Sequence, residues 1–230
     1  CISATSFASK VDFLAGTNPS DVVLFDVDGD GKLDVATTNY DSNSISVLRN
    51  TSTRGIINAQ SLSTAVDFAV NLSPNVLEVG DLDGDGKLDL ICSNFNAHSI
   101  SILENTSTIG IIDVSSFSSA MDIACNLYPT TLRVADLNGD GIKEIVKLSL
   151  LNDIAKGVID IYSQNASGDW SLKSNVITNA TLDLMPPILD LIDIDTDGDI
   201  DIVATTGNQS GGGRSCDQRV DTKLRAIRAC

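Results

Sequence analysis

A tandem repeat of about 55 residues constrains the fold of this chain more than any other feature of its sequence. Segments that begin at Ser6, Ser61 and Ser116 align without gaps at an offset of 55 residues. A fourth copy follows at an offset of 57, with Pro186 and Asp193 in register. The runs SISVLRNTST and SISILENTST are nearly identical. A repeat of this length predicts units that stack on one another, because one unit cannot bury a hydrophobic core alone.

Each repeat is predicted to form four short strands. In the first copy we expect strands at residues 22–25, 33–38, 44–48 and 65–70, and the third alternates polar and apolar residues as a half-buried strand does. Aromatic residues make up only 4% of the chain, so the core must consist mainly of Val, Ile, Leu and Ala. That composition favours strands over helices. Four strands in a unit of this length are typical of a propeller blade.

The predicted fold is therefore an all-β propeller of about four four-stranded blades, formed by residues 1–206. The chain begins with the last strand of one unit, so an N-terminal strand is in position to complete the final blade. The sequence leaves open whether the four blades close a small ring or belong to a larger propeller. Residues 207–230 break the repeat and are predicted to form a Gly-rich linker and a basic C-terminal appendage. The appendage is either a native cap or an addition that is not native.

One acidic loop recurs in every repeat, with the pattern Asp-x-Asp/Asn-x-Asp-Gly-x-x-Asp/Glu. The four loops are residues 26–34, 81–89, 136–144 and 193–201, and they contain sixteen of the 31 acidic residues. Calcium is a hard cation that binds six to eight oxygen atoms, and closely spaced carboxylates supply them. Glycine at loop position 6 permits the sharp bend, and we expect its φ to be positive. The loops therefore predict up to four calcium ions.

The predicted ligands are the side chains at loop positions 1, 3, 5 and 9 and the backbone carbonyl at position 7. In chain order they are Asp26, Asp28, Asp30, Lys32, Asp34, Asp81, Asp83, Asp85, Lys87, Asp89, Asp136, Asn138, Asp140, Ile142, Glu144, Asp193, Asp195, Asp197, Asp199 and Asp201. The third loop is expected to be the weakest site, because it has Asn at position 3 and Glu at position 9. Without an ion the carboxylates of one loop repel each other, so we expect loose loops in that state.

Other metal sites and catalytic constellations are disfavoured. An EF-hand loop needs an acid at position 12, which is absent from all four loops. The five cysteines show no Cys-x-x-Cys spacing, and His98 is the only histidine, so neither a zinc site nor a Ser-His-Asp triad is predicted. Cys92 and Cys125 lie in apolar strand segments and are expected to be buried free thiols. Trp170 is read as an ordinary core or rim residue.

The charge of the chain limits its partners. A net charge of −16 argues against a nucleic-acid partner, which requires a basic surface. There is no apolar run of 18 residues, so no membrane span is predicted. No signal peptide is visible, although a removed leader stays open.

The run DLDGDGKLDL at residues 81–90, followed by the SISILEN strand, resembles the FG-GAP/VCBS repeat family. The resemblance extends over residues 1 to about 206. Better-known members of that family form integrin-α-like β-propellers with about seven blades, whereas this chain supplies about four. The resemblance implies calcium in a β-hairpin loop of the blade, secretion or display on the cell surface, and a role in adhesion or ligand binding.

The sequence therefore predicts an extracellular, secreted or cell-surface, calcium-binding propeller module. Its function is predicted to be adhesion, protein–protein interaction or surface assembly, with calcium mainly structural and without catalysis. Its expected partner is a protein or glycan ligand on a cell surface or in the extracellular matrix, and oligomerisation stays open. Two alternatives remain: a lectin-like carbohydrate-binding propeller, and an accessory part of a polysaccharide-active enzyme.

Overall fold

The computed structural model describes residues 9–151, 156–181 and 189–204, and every regular element in these ranges is a β-strand. The strands are short because turn-forming Asn, Ser, Asp and Gly residues interrupt the apolar runs. The strands are β1 (Pro19–Phe25), β2 (Asp34–Asn39), β3 (Ser44–Leu48), β4 (Val66–Ala69), β5 (Pro74–Gly80), β6 (Asp89–Asn94), β7 (Ser99–Leu103), β8 (Met121–Ala124), β9 (Pro129–Ala135), β10 (Glu144–Leu151), β11 (Lys156–Gln164), β12 (Trp170–Thr181), β13 (Leu189–Ile192) and β14 (Asp201–Ala204).

The strands form antiparallel meanders that follow the repeat. In the described part of the chain, β1 to β4, β5 to β8 and β9 to β12 each form a four-stranded sheet, and β13 pairs with β14. The first strands lie side by side, with β1 against β5, β5 against β9, and β9 against β13. First strands that neighbour each other, with later strands following outward, are the arrangement of propeller blades. The prediction of an all-β propeller-type fold from four-stranded units is confirmed.

The hydrophobic core lies between the blades rather than within one of them. Successive side chains of a strand point to opposite faces, so each blade contributes to two clusters. On β6, Leu90 and Cys92 belong to the cluster shared with the first blade, whereas Ile91 belongs to the cluster shared with the third. The third cluster joins the third blade to the β13–β14 pair through Val146, Leu148, Leu189 and Ile202. Stacking of neighbouring repeats therefore supplies the core, as the repeat period predicts.

The predicted half-buried character of the third strand is wrong, because all five residues of β3 are buried. Its polar side chains are buried with hydrogen-bond partners on the neighbouring strands. Asn39 Nδ2 donates to Ser46 Oγ at 2.8 Å, and Ser46 Oγ donates to Asp67 Oδ1 at 2.5 Å. The second blade has the same chain of hydrogen bonds through Asn94, Ser101 and Asp122. Polar alternation therefore reports a hydrogen-bonded row inside the blade and not a solvated face.

In the third blade, Asp160 holds the place of Ser46 in this polar row, accepts a hydrogen bond from Asn175 Nδ2, and also forms a buried ion pair. Lys147 is fully buried, and its Nζ lies 2.7 Å from Asp160 Oδ2 and donates to Ser149 Oγ at 2.9 Å. Lys147 on β10 stands opposite Asp160 on β11, where the first two blades pair Thr37 with Ser46 and Cys92 with Ser101. This substitution marks the point at which the third repeat drifts from the first two.

Three further predictions concern the ends of the chain and its thiols. The predicted N-terminal strand is not formed in residues 9–18. In that segment Gly16 and Thr17 donate their backbone N–H groups to the hydroxyls of Ser46 and Ser42. The appendage at 207–230 lies outside the described residues. Cys92 and Cys125 are buried and free, as expected. No helix in the described ranges is long and apolar enough to cross a membrane.

Candidate metal-binding loops

The four acidic loops occupy the same place in their blades, between the first and second strands. The first loop joins the end of β1 at Phe25 to the start of β2, and the other loops join β5 to β6, β9 to β10, and β13 to β14. The position-6 glycines Gly31, Gly86, Gly141 and Gly198 all have φ between 85° and 94°. A side chain is strained in that region of the backbone, so the prediction of a positive φ is confirmed.

The first acid of each loop organises the turn by accepting backbone hydrogen bonds. The position-6 N–H donates to it in every loop, at 2.9 Å for Asp26, 3.1 Å for Asp81, 2.8 Å for Asp136 and 3.0 Å for Asp193. The position-7 N–H donates in turn to the position-5 acid, at 2.8–3.0 Å. The backbone therefore curls around the acidic side chains, as the motif predicts.

Three loops bring three carboxylates together. One carboxylate oxygen from each of three acids lies within 4.8 Å of the other two in the first, second and fourth loops. Two oxygens that are each about 2.4 Å from one calcium ion lie at most about 4.8 Å apart. The residues present therefore fit a hard divalent cation in both donor type and spacing. The triples are Asp26, Asp28 and Asp34; Asp81, Asp83 and Asp85; and Asp193, Asp195 and Asp197.

The acid at position 9 accepts hydrogen bonds from the backbone and is also a candidate ligand. In the first loop, Asp34 Oδ2 accepts from Val27 N at 3.0 Å and Oδ1 accepts from Asn50 N at 2.7 Å. Asp89 accepts equivalent bonds from Leu82 N and Asn105 N at 2.9 and 2.8 Å. Burial raises the pKa of Asp34, and it raises the pKa of Asp89 to about 6. These buried carboxylates hold the loop to the strand that follows it.

The third loop differs from the others, as expected. Asn138 replaces an acid, and its Nδ2 donates to Glu144 Oε1 at 3.1 Å. Burial raises the pKa of Glu144. Within the described ranges this loop contains no triple of acids at the spacing found in the other three. Its rank as the weakest calcium site stays a prediction, as does the use of the position-7 carbonyls of Lys32, Lys87, Ile142 and Asp199.

The first loop contains a residue that the motif does not predict. Arg49 follows β3 directly, and its Nε donates to Asp28 Oδ2 at 2.5 Å while its Nη2 donates to Asp30 Oδ2 at 2.6 Å. The Asp28 side chain is 0% exposed and that of Arg49 is 26% exposed. Within the SISVLRNTST and SISILENTST repeats, the one signal for this contact is the change from Arg49 to Glu104.

The second blade covers the first loop. Asn105 Nδ2 donates to Val27 O at 3.0 Å, and Ser107 Oγ donates to the same carbonyl at 2.7 Å. Ile109 approaches Gly29, since a Cβ built on that glycine would lie 3.7 Å from Ile109 Cγ1. The first loop is therefore packed under the next blade, and this packing is a second feature that reasoning from one loop motif misses.

His98 and Trp170, the other residues considered in the sequence, both pack against neighbouring side chains. His98 lies in the turn between β6 and β7, as predicted, and its ring stands edge-on to Tyr128 at 4.1 Å between centroids. Trp170 packs against the cluster between the second and third blades. It also lines a groove of about 410 Å³ together with Met121, Asp122 and Asn126.

The fold and the loops together define a propeller-type β-repeat module with one acidic loop in each repeat. The family model described as FG-GAP-like repeat matches residues 26–92 and 81–146, which together cover more than half of the chain. The chain therefore belongs to the FG-GAP repeat family. Repeats of this family indicate a β-propeller-type protein-interaction module.

Comparison with solved and curated proteins adds little to this assignment. The chain is similar to part of a solved structure of a Photorhabdus luminescens Tc holotoxin pore carrying a mutation, with a TM-score of 0.48 and 17% sequence identity. The match covers 84% of this chain and 8% of that one, so this chain spans less than a tenth of its length. No curated protein matches the chain.

Proposed function

We propose that this chain is an extracellular, non-enzymatic interaction module whose propeller is stabilised by calcium bound to its acidic loops. One observation carries the proposal: the first, second and fourth loops each bring three carboxylates within 4.8 Å at the same junction of two strands. Three negative charges this close repel one another strongly. A bound divalent cation would replace that repulsion with attraction and hold the first two strands of the blade together.

The chain's own residues would divide the work between them. In the second and fourth loops the carboxylates at positions 1, 3 and 5 would bind the ion, and in the first loop those at positions 1, 3 and 9 would bind it. The buried carboxylate at position 9 ties the loop to the backbone, as Asp89 does with Leu82 and Asn105. Calcium therefore serves the scaffold, and the partner binds elsewhere on the blades.

Thermal unfolding in chelator and in millimolar calcium tests the metal role. An ion that binds only the folded state stabilises it by mass action, so the Tm is expected to rise with calcium concentration. At a calcium concentration one hundred times Kd, each site adds about 2.7 kcal/mol to the free energy of unfolding. Magnesium at the same concentration is the matched control, since it demands a smaller octahedral site. The double variant Asp83→Asn/Asp85→Asn should lose part of the rise. An equal Tm in chelator and in calcium, with no heat in a titration, contradicts the proposal.

Exposed apolar side chains support the interaction role. The loops that follow β3 and β7 carry Ile57, Ile109 and Val114, which are 71%, 79% and 81% exposed. Apolar groups left in water in the corresponding loops of two repeats, although not at equivalent positions, are typical of a binding surface. A calcium-loaded wild-type chain is expected to bind extracellular-matrix proteins or cell surfaces, and the Ile57→Ser/Val114→Ser variant to bind less. Equal binding by the two proteins would place the partner surface elsewhere.

A carbohydrate ligand is the second candidate, and the groove beside Trp170 favours it. An indole ring provides a face on which a sugar ring can pack, while Asp122, Asn126 and Asp169 line the same groove with hydrogen-bonding groups. A glycan array probed in calcium should give hits that Trp170→Ala removes. An array without hits eliminates this candidate and leaves the protein-binding role.

A further inference from the structure

Arg49 and Glu104 occupy equivalent positions in two nearly identical repeats. Each is the residue that follows the third strand of its blade, and the residues before them pair alike, Leu48 with Val35 and Leu103 with Leu90. The exchange reverses the charge beside the acidic loop, while the loop sequences DVDGDGKLD and DLDGDGKLD differ only at position 2.

Arg49 acts on the first loop as a bound cation would. Its guanidinium contacts Asp28 and Asp30 at 2.5 and 2.6 Å, so it takes one oxygen from each of two predicted calcium ligands. The Asp28 side chain is fully buried and that of Asp30 is 13% exposed. Water therefore screens these contacts little, unlike those of an ordinary surface pair.

The loop that Arg49 contacts has a different cluster of carboxylates from the second and fourth loops. In the second and fourth loops the clustered acids are those at positions 1, 3 and 5. In the first loop, Asp34 takes the place of Asp30 in the cluster, and Asp30 is the acid that Nη2 of Arg49 contacts. The next blade supports this position, since a Cβ on Gly110 would lie 3.5 Å from the same Nη2 atom.

The second loop has the opposite environment. Glu104 is exposed, as are Asp83 and Asp85. The cation that approaches these acids is Lys87, whose Nζ lies 3.9 Å from Asp85 Oδ2 and donates instead to Ser107 O at 3.1 Å. The second loop thus keeps its acids together, and Glu104 occupies the repeat position that Arg49 holds beside the first loop.

We propose that Arg49 is a built-in counter-cation that ranks the loops, so that calcium fills the second loop first and enters the first loop only by displacing the guanidinium from Asp28 and Asp30. This inference rests on the proposed calcium role. The first loop is ordered by its own arginine at low calcium, whereas the second loop depends on the ion. The residue that sets calcium affinity lies outside the nine-residue motif.

Isothermal titration of metal-free full-length protein with calcium tests this ranking. Arg49→Gln removes the competing charge, and Arg54→Gln makes the same charge change at an exposed residue of the next turn. Arg49→Gln is expected to tighten one site of the weaker class, the first loop, about ten-fold, which is the effect of about 1.4 kcal/mol, whereas Arg54→Gln changes no site by more than about two-fold. Glu104→Arg should weaken the tight class about ten-fold.

The outcomes separate this inference from the proposed function. Calcium heat in the wild type with indistinguishable Arg49→Gln and Arg54→Gln isotherms overturns the counter-cation role and leaves calcium binding intact. The absence of heat in every protein overturns calcium binding itself. Circular dichroism in calcium confirms that each variant is folded. Arg49→Lys keeps the charge without the two-pronged contact and should fall between wild type and Arg49→Gln, and a Lys variant tighter than the Gln variant contradicts the charge argument.

Discussion

The first and second acidic loops have nearly the same sequence and different surroundings. The first is covered by Arg49 and by the loop of the next blade, and its Asp28 is fully buried. The second is open to solvent at Asp83 and Asp85 and has Glu104 where the first has Arg49. The comparison teaches that a metal-binding motif fixes the ligands, while residues that follow a strand about 20 positions away set the charge that those ligands experience.

Removal of Arg49 should have the largest effect on the metal-free protein. Arg49→Gln leaves Asp28 buried without its partner, which costs about 3–5 kcal/mol for a fully buried pair. The arginine side chain is 26% exposed, so we expect a smaller loss of about 2–3 kcal/mol in the free energy of unfolding. Urea unfolding in chelator measures it. Glu104→Gln in the second blade is the matched control and should stay within about 0.5 kcal/mol of wild type; equal losses in the two variants would remove the distinction between the loops.

Equivalent asparagines offer a sharper, smaller test of the covering contact. Asn105 Nδ2 donates to Leu88 O in its own blade and to Val27 O in the first loop, whereas Asn50 Nδ2 donates to Leu33 O. Asn105→Ala should cost about 2 kcal/mol and Asn50→Ala about 1 kcal/mol, because a typical hydrogen bond contributes about 1 kcal/mol. Chemical denaturation of both variants gives the difference. An Asn50 variant as destabilised as the Asn105 variant would show that the contact between blades adds nothing.

The stability of the metal-free protein should also depend on pH in the range from about 4 to about 6. Burial raises the pKa of Asp89 from 3.8 to about 6, with Asp83 and Asp85 adding repulsion. The folded state therefore binds this proton more tightly than the unfolded state, so the contribution of Asp89 to stability is fully present below about pH 4 and falls by at most about 2–3 kcal/mol as pH rises through that range.

Unfolding midpoints in chelator at several pH values measure this slope, and Asp89→Asn should flatten it. Asp34→Asn is the matched variant in the first loop, where burial also raises the pKa. Saturating calcium is expected to reverse the slope, because protons compete with the ion for the same oxygens. A pH slope in chelator that is the same in wild type and in Asp89→Asn would contradict the assignment.

Much of the fold could be read from the sequence because the repeat reports the same structure several times. The predicted strand at residues 44–48 is β3, and the predicted strand at 22–25 is β1 with three residues added at its start. The three added residues begin at Pro19. Proline usually marks the end of a predicted strand, but it is tolerated at the first position of one. The loops and the positive φ of Gly31 and Gly86 followed from one motif with one geometric requirement.

What the sequence did not predict depends on contacts between elements. The burial of Ser46 requires Asp67 and Asn39 on the flanking strands, and alternation alone cannot distinguish it from a solvated serine. The bond between Arg49 and Asp28 joins residues 21 positions apart, and only the fold brings them together. Its single trace in the sequence is an exchange of charge between two repeats that otherwise agree.

The buried ion pair of Lys147 and Asp160 affects which strands pair with each other during folding. Nearly identical repeats can exchange equivalent strands during folding, and swapped assembly is a characteristic failure of repeat proteins. A β10 strand that entered the first or second blade would bring Lys147 opposite Ser46 or Ser101, where those blades hold Thr37 and Cys92. Buried Asp160 would then lose its cation, and removing one partner of a buried ion pair costs about 3–5 kcal/mol. The ion pair therefore favours the pairing of β10 with β11 over its pairing with the equivalent strands of the other two blades.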